Sequence, residues 1–127
     1  MKYLIDSYAW IEYLDGTKYG KKVKEFLSEE NEIFSIPFVL AEVISRTKRK
    51  GMDTDIAFKA IVSSSAILNI DAEISKEAGI LHAEIKKTIK DFGLTDAFIL
   101  AIARKLKAKI ITGDEHFSKI KEAILIR

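Results

Sequence analysis

Five short runs rich in aliphatic and β-branched residues alternate with longer segments of helical periodicity, and this alternation constrains the fold more than any single residue does. The pattern predicts strands over Tyr3–Ile5, Glu32–Ile36, Ala66–Ile70, Lys109–Thr112 and Ala123–Ile126. Between them it predicts helices over Ser7–Leu14, Lys18–Glu29, Phe38–Arg49, Asp53–Ser64, Ala72–Lys90 and Thr95–Leu106. Gly16 separates the first two helices, Pro37 suits the first turn of the third, and Gly51 stops that helix. Strands separated by helices pair in parallel, so the expected architecture is three-layer α/β/α with a parallel central sheet of about five strands. A chain of 127 residues fits one domain, residues 1–127, with enough length to bury a core.

In such a sheet, crossovers are right-handed and ligands bind at the carboxyl edge of the strands. Four acids fall where the pattern meets that edge. Asp6 directly follows the first strand, and Asp114 lies two residues past the strand Lys109–Thr112. Asp96 is in the first turn of the helix that feeds that strand, and Glu42 lies little more than a turn into the helix after the second. Each has an ordinary alternative. Asp6 and Asp96 suit helix starts, Asp114 suits a turn, and Glu42 could pair with Arg46 at i,i+4. Glu42, however, is the only charge between Ile36 and Ile44, and Asp96 opens the apolar helix Ala97–Ala103. Carboxylates gathered at contact distance raise one another's pKa and call for a cation, so the four together predict a divalent-metal site.

Composition excludes several classes. The longest apolar run, Ala97–Ala103, is far short of the roughly 20 residues a membrane span needs. The charge at Asp6 ends the N-terminal apolar run too early for a signal peptide, so the expected location is the cytoplasm. The absence of cysteine excludes disulfides, thiolate zinc sites and thiol catalysis. A chain without glutamine and rich in Lys, Glu and Ile hints at a thermophilic source. The net charge of +2 does not announce nucleic-acid binding. Basic residues do cluster at Arg46–Lys50, at Lys86, Lys87 and Lys90, and at Arg104, Lys105, Lys107 and Lys109. Each cluster also reads as a cationic helix C-terminus matched to the helix dipole.

The segments Leu4-Ile-Asp6-Ser7, Pro37-Phe-Val-Leu-Ala-Glu42-Val, Gly93-Leu-Thr-Asp96-Ala-Phe-Ile-Leu-Ala-Ile-Ala103 and Ile111-Thr-Gly-Asp114-Glu-His-Phe117 occur in this order. Together they resemble PIN-domain nucleases, particularly the small prokaryotic VapC-type ribonuclease toxins. The resemblance covers essentially the whole chain. It implies that Asp6, Glu42, Asp96 and Asp114 bind Mg²⁺ or Mn²⁺ and cleave single-stranded RNA. It also implies a homodimer and an antitoxin partner whose segment covers the acidic site. Many members carry a further acid two positions after the fourth, where this chain has His116.

The residue types agree with that chemistry, because hard divalent cations prefer oxygen ligands and keep several waters. Asp6, Asp96 and Asp114 are expected to contact metal directly or through water, and Glu42 to hold a water or act as general base. Ser7 and Thr112 are expected to orient the acids or bond a water or phosphate, although Ser7 reads nearly as well as a helix cap. Arg46, Lys48 and Arg49 are candidates for guiding RNA phosphates. His82 and His116 are read as surface or packing residues, and Trp10, Tyr8 and Tyr13 as core. A phosphoacceptor receiver fits poorly, since Asp6-Ser7 replaces the required acidic pair. The remaining rivals are an RNA-processing nuclease without an antitoxin and a non-catalytic protein-binding module.

Overall fold

The structure is a computed structural model and describes residues 1–127. Its strands are β1 (Lys2–Ile5), β2 (Glu32–Ser35), β3 (Ala66–Ile67), β4 (Lys109–Thr112) and β5 (Ala123–Leu125). The helices are α1 (Ser7–Asp15), α2 (Lys18–Phe26), α3 (Pro37–Arg49), α4 (Thr54–Ser64), α5 (Ala72–Ile85) and α6 (Leu94–Leu106), with a single 3₁₀ turn over Glu115–Phe117. The sheet order is β3-β2-β1-β4-β5, and every neighbouring pair is parallel. With helices on both faces, this is a three-layer α/β/α fold. The chain winds outward from β1 through β2 to β3, then returns across the sheet to β4 and β5. The direction of winding therefore reverses between β1 and β4, and their carboxyl ends flank the crevice that open α/β sheets use for ligands. No helix is long and apolar enough to cross a membrane.

The core explains the one helix whose sequence is apolar all round. Every residue of α6 from Ala97 to Ala103 is buried, because the helix packs on β1 and β4 and is covered by α5. On the other face α1 meets α2, α3 and α4. Trp10 is fully buried there and its indole N–H donates to Ser35 Oγ at 2.9 Å. Trp10 is thus core as expected, whereas Tyr8 and Tyr13 are only partly buried.

Glycine decides the α1–α2 corner. Gly16 ends α1 in the left-handed region at φ 69°. Gly20 is buried where the two helices touch, and a Cβ on it would lie 2.1 Å from the Glu12 carbonyl oxygen and 2.8 Å from Tyr13 Cα. Backbone cannot yield as a flexible side chain can. Gly20→Ala is therefore expected to cost about 3 kcal/mol or more, the upper end for overpacking, and to lower the urea midpoint sharply without changing the slope. A midpoint within error of wild type would show that the corner opens freely.

The second and fifth strands end one residue earlier than the pattern predicts, at Ser35 and Leu125, and three other elements end three or more residues earlier. The third strand stops at Ile67 rather than Ile70: it is an edge strand paired only with β2, and Asp71 is taken up in capping α5, its carboxylate accepting from the Ile74 N–H at 2.9 Å. The second helix stops at Phe26 rather than Glu29, where Asn31 Nδ2 donates to the Phe26 carbonyl at 3.0 Å. The fifth stops at Ile85 rather than Lys90, and the chain turns so that the fully buried Phe92 ring meets Phe117 edge-on at 5.6 Å.

Candidate active site

The site is built at the β1–β4 crevice by side chains that also finish secondary structure. Asp6 leaves β1 and caps α1, its Oδ1 accepting from the Ala9 N–H at 2.8 Å. Its Oδ2 accepts from the hydroxyl of Thr112, the last residue of β4. Thr112 Oγ1 in turn accepts from the Asp114 N–H at 3.0 Å, so one fully buried threonine joins the two acidic strand ends. Asp96 lies at the start of α6 and its Oδ2 accepts from the Gly93 N–H at 2.9 Å. Glu42 stands exposed on α3 at the rim.

These four acids line one cleft of about 350 Å³, together with Ser7 and His116. A larger hollow of about 580 Å³ lies by Pro37, Leu40, Ile44, Phe58 and Ile67, but it contains none of the acids. The acidic side chains meet only in the smaller cleft.

Burial dominates the electrostatics. Asp6 is only 4% exposed, and loss of water pushes its carboxyl up to about 7. Its hydrogen bonds from Thr112 and Ala9 oppose that rise, and the charges of Asp114 and Asp96 add to it. Burial also raises Asp96, with Asp114 adding to the shift and the Gly93 N–H, His116 and His82 opposing it. Glu42 is raised first by partial burial and then by Asp96. Three carboxyl groups thus resist ionisation unless positive charge is supplied.

The donor set fits a divalent cation. One ligand atom each from Asp96, Asp114 and His116 lie within 4.8 Å of one another. His116 Nδ1 is shielded from solvent and has no hydrogen-bond partner, although Asp114 Oδ1 is 3.2 Å away and Asp96 Oδ2 is 4.0 Å away. Asp6 and Glu42 add further oxygens at the same cleft.

The basic candidates lie elsewhere. Arg46 pairs with Asp15 through contacts of 2.9 and 3.3 Å, and not with Glu42. Lys48 borders the apolar hollow, and Arg49 is exposed at the end of α3. None of the three lines the acidic cleft. Three residues that do line it carry weak signals in the sequence. The first is His116, read there as a surface or packing residue; the others are Asp91 and Tyr8. Tyr8 fills the space over Gly113, where a Cβ would lie 2.1 Å from the ring. No pattern in the sequence links Tyr8 to Gly113, and only the fold brings them together.

The family model described as PIN domain matches residues 3–123. Among curated proteins none matches the sequence significantly. Solved structures do match. A chain of a toxin-antitoxin complex from Klebsiella pneumoniae is 25% identical with a TM-score of 0.76, over 98% of this chain and 97% of that chain. A chain of VapBC2 from Rickettsia felis, bound to a DNA fragment from their promoter, is 22% identical with a TM-score of 0.75, over 98% and 97%. VapC20 from Mycobacterium tuberculosis, a Sarcin-Ricin loop cleaving toxin, is 15% identical with a TM-score of 0.71, over 94% and 95%. The last two show likeness of fold alone.

Proposed function

The chain belongs to the PIN-domain family, and from that premise we propose that it is a divalent-metal-dependent endoribonuclease that cleaves single-stranded RNA. We further propose that it is one domain over residues 1–127 and the toxin of a toxin–antitoxin pair. The observation that carries this reading is the meeting of Asp6, Glu42, Asp96 and Asp114 in one cleft at the reversal of the sheet. The toxin role is supported by the likeness to a chain of the Klebsiella toxin-antitoxin complex. With it go an antitoxin partner, a homodimer and a cytoplasmic setting.

In this reading Asp6, Asp96 and Asp114 hold the cation, and Glu42 holds a water at the rim. Mg²⁺ or Mn²⁺, when bound, supplies neutralisation of phosphodiester charge and a lowered pKa for attacking water. Glu42 is the general base, since it reaches the same cleft from α3, at the rim where an attacking water would sit. Thr112 acts indirectly by holding Asp6 and the Asp114 backbone in register. Ser7, on the cleft wall beside Asp6, bonds a water or a phosphate oxygen. Arg46, Lys48 and Arg49 draw the RNA backbone toward α3, and Arg46 must release Asp15 to do so.

The test is cleavage of a mixed single-stranded RNA panel by purified protein with Mg²⁺ or Mn²⁺, against the same protein in EDTA. Metal-dependent cutting is expected. Folded, partner-free protein that binds neither metal and cuts no RNA in the panel would sink the nuclease reading.

A further inference from the structure

The 3₁₀ turn after β4 presents a nitrogen to an otherwise oxygen-rich cleft. Asp114 caps that turn by accepting from the His116 N–H at 2.9 Å, and Phe117 anchors it, fully buried and packed on Phe92. The backbone of His116 is therefore held, and its ring lies beside both Asp114 and Asp96. If the imidazole served only as a counter-charge, its Nδ1 should donate to Asp114 Oδ1 at 3.2 Å. The approach misses hydrogen-bond geometry, and Nδ1 stays buried without a partner. A buried polar atom left in that condition is costly, and among carboxylates a cation is the natural partner for it.

We propose that His116 Nδ1 ligates the cleft's cation together with Asp96 and Asp114, and that this nitrogen turns the site's preference from Mg²⁺ toward Mn²⁺ and other first-row transition ions. The inference rests on the metal-dependent reading above. Its chemical basis is the donor set. Mg²⁺ demands oxygen ligands in a near-ideal octahedron and gives up its waters reluctantly, whereas imidazole suits the first-row ions. Asp96 and Asp114 alone would suit either. His116 adds a neutral nitrogen within 4.8 Å of both oxygens, and that donor discriminates. The chain has only two histidines, and His82 does not line the cleft, so it serves as an internal control.

The test uses the whole chain, with electron spin-echo spectra of bound Mn²⁺ to detect directly coordinated nitrogen and calorimetric titration with Mn²⁺ and Mg²⁺. Nitrogen modulation is expected in wild type and in His82→Ala, and its loss in His116→Ala. In His116→Asp, which restores an oxygen donor, the ratio of Mn²⁺ to Mg²⁺ affinity is expected to fall by about tenfold or more, at least the effect of disturbing groups that merely support a metal ligand. His116 is a third exposed, with a side-chain exposure of 35%, so the variants are expected to fold, with circular dichroism as the check. Mn²⁺ that binds wild type without nitrogen modulation, or with modulation kept in His116→Ala, would overturn the proposal and leave the metal-dependent reading standing. Folded wild type that binds no Mn²⁺ would overturn both.

Discussion

Asp96→Asn is expected to lower RNA cleavage by about 10³-fold or more, because a metal supplies several kcal/mol of transition-state stabilisation and each 1.36 kcal/mol is tenfold. The change removes a charged oxygen from the closest group of donor atoms, Asp96, Asp114 and His116. It should leave the fold intact, since an asparagine oxygen can still accept from the Gly93 N–H as Oδ2 does. It should even stabilise metal-free protein slightly. Burial and Asp114 both disfavour the Asp96 charge, and the variant relieves that strain. Single-turnover rates, metal titration and urea unfolding on one preparation separate the cases. Wild-type cleavage by Asp96→Asn would remove this residue from the metal set, whereas inactive and unfolded protein would assign it a structural role.

The second large effect concerns Asp6 in metal-free protein. Its carboxyl keeps a proton up to about pH 7 in the folded chain, against an ordinary value of 3.8. Between these limits the folded state binds more protons than the unfolded one, so stability falls as pH rises. The contribution is complete below about pH 4 and gone above about pH 7. Its size is roughly 4 kcal/mol at about 1.4 kcal/mol per tenfold. Asp96 and Glu42 are raised as well and act in the same sense. Urea unfolding in EDTA should therefore show wild type gaining stability from pH 8 to pH 5 relative to Asp6→Asn, which cannot ionise. At pH 8 the variant should be the more stable protein. Saturating Mn²⁺ should reverse that order, since the cation stabilises the ionised carboxylate. Parallel pH profiles for the two proteins in EDTA would refute burial as the source of the shift.

The acids were legible because each sits beside a feature that periodicity exposes: the end of β1, the end of β4, the start of α6 and the first turns of α3. Strand order then brings them together, as parallel winding aligns the carboxyl ends. His116 was not legible. Its alternatives as surface or packing residue differ only in where a three-residue turn points, and the burial of Phe117 against Phe92 decides that. Arg46 illustrates the converse. On its own helix Glu42 is its neighbour, yet it pairs with Asp15, 31 positions away, because α1 packs against α3. The three largest shortenings have different causes: side-chain bonds from Asp71 and Asn31 take up the ends of β3 and α2 locally, whereas the end of α5 answers the burial of Phe92 against the distant Phe117.

The order of strands and helices, the parallel sheet that follows from it, and the edge at which four carboxylates gather can all be read from the chain. Those properties follow from the periodicity of apolar residues and the handedness of crossovers, which are local and general. How those carboxylates behave depends on packing in three dimensions. The proton affinity of Asp6 depends on exclusion of water and on a threonine 106 positions away, and the nitrogen at Asp96 and Asp114 depends on how one turn is anchored. Burial and long-range hydrogen bonds exist only once the layers have closed.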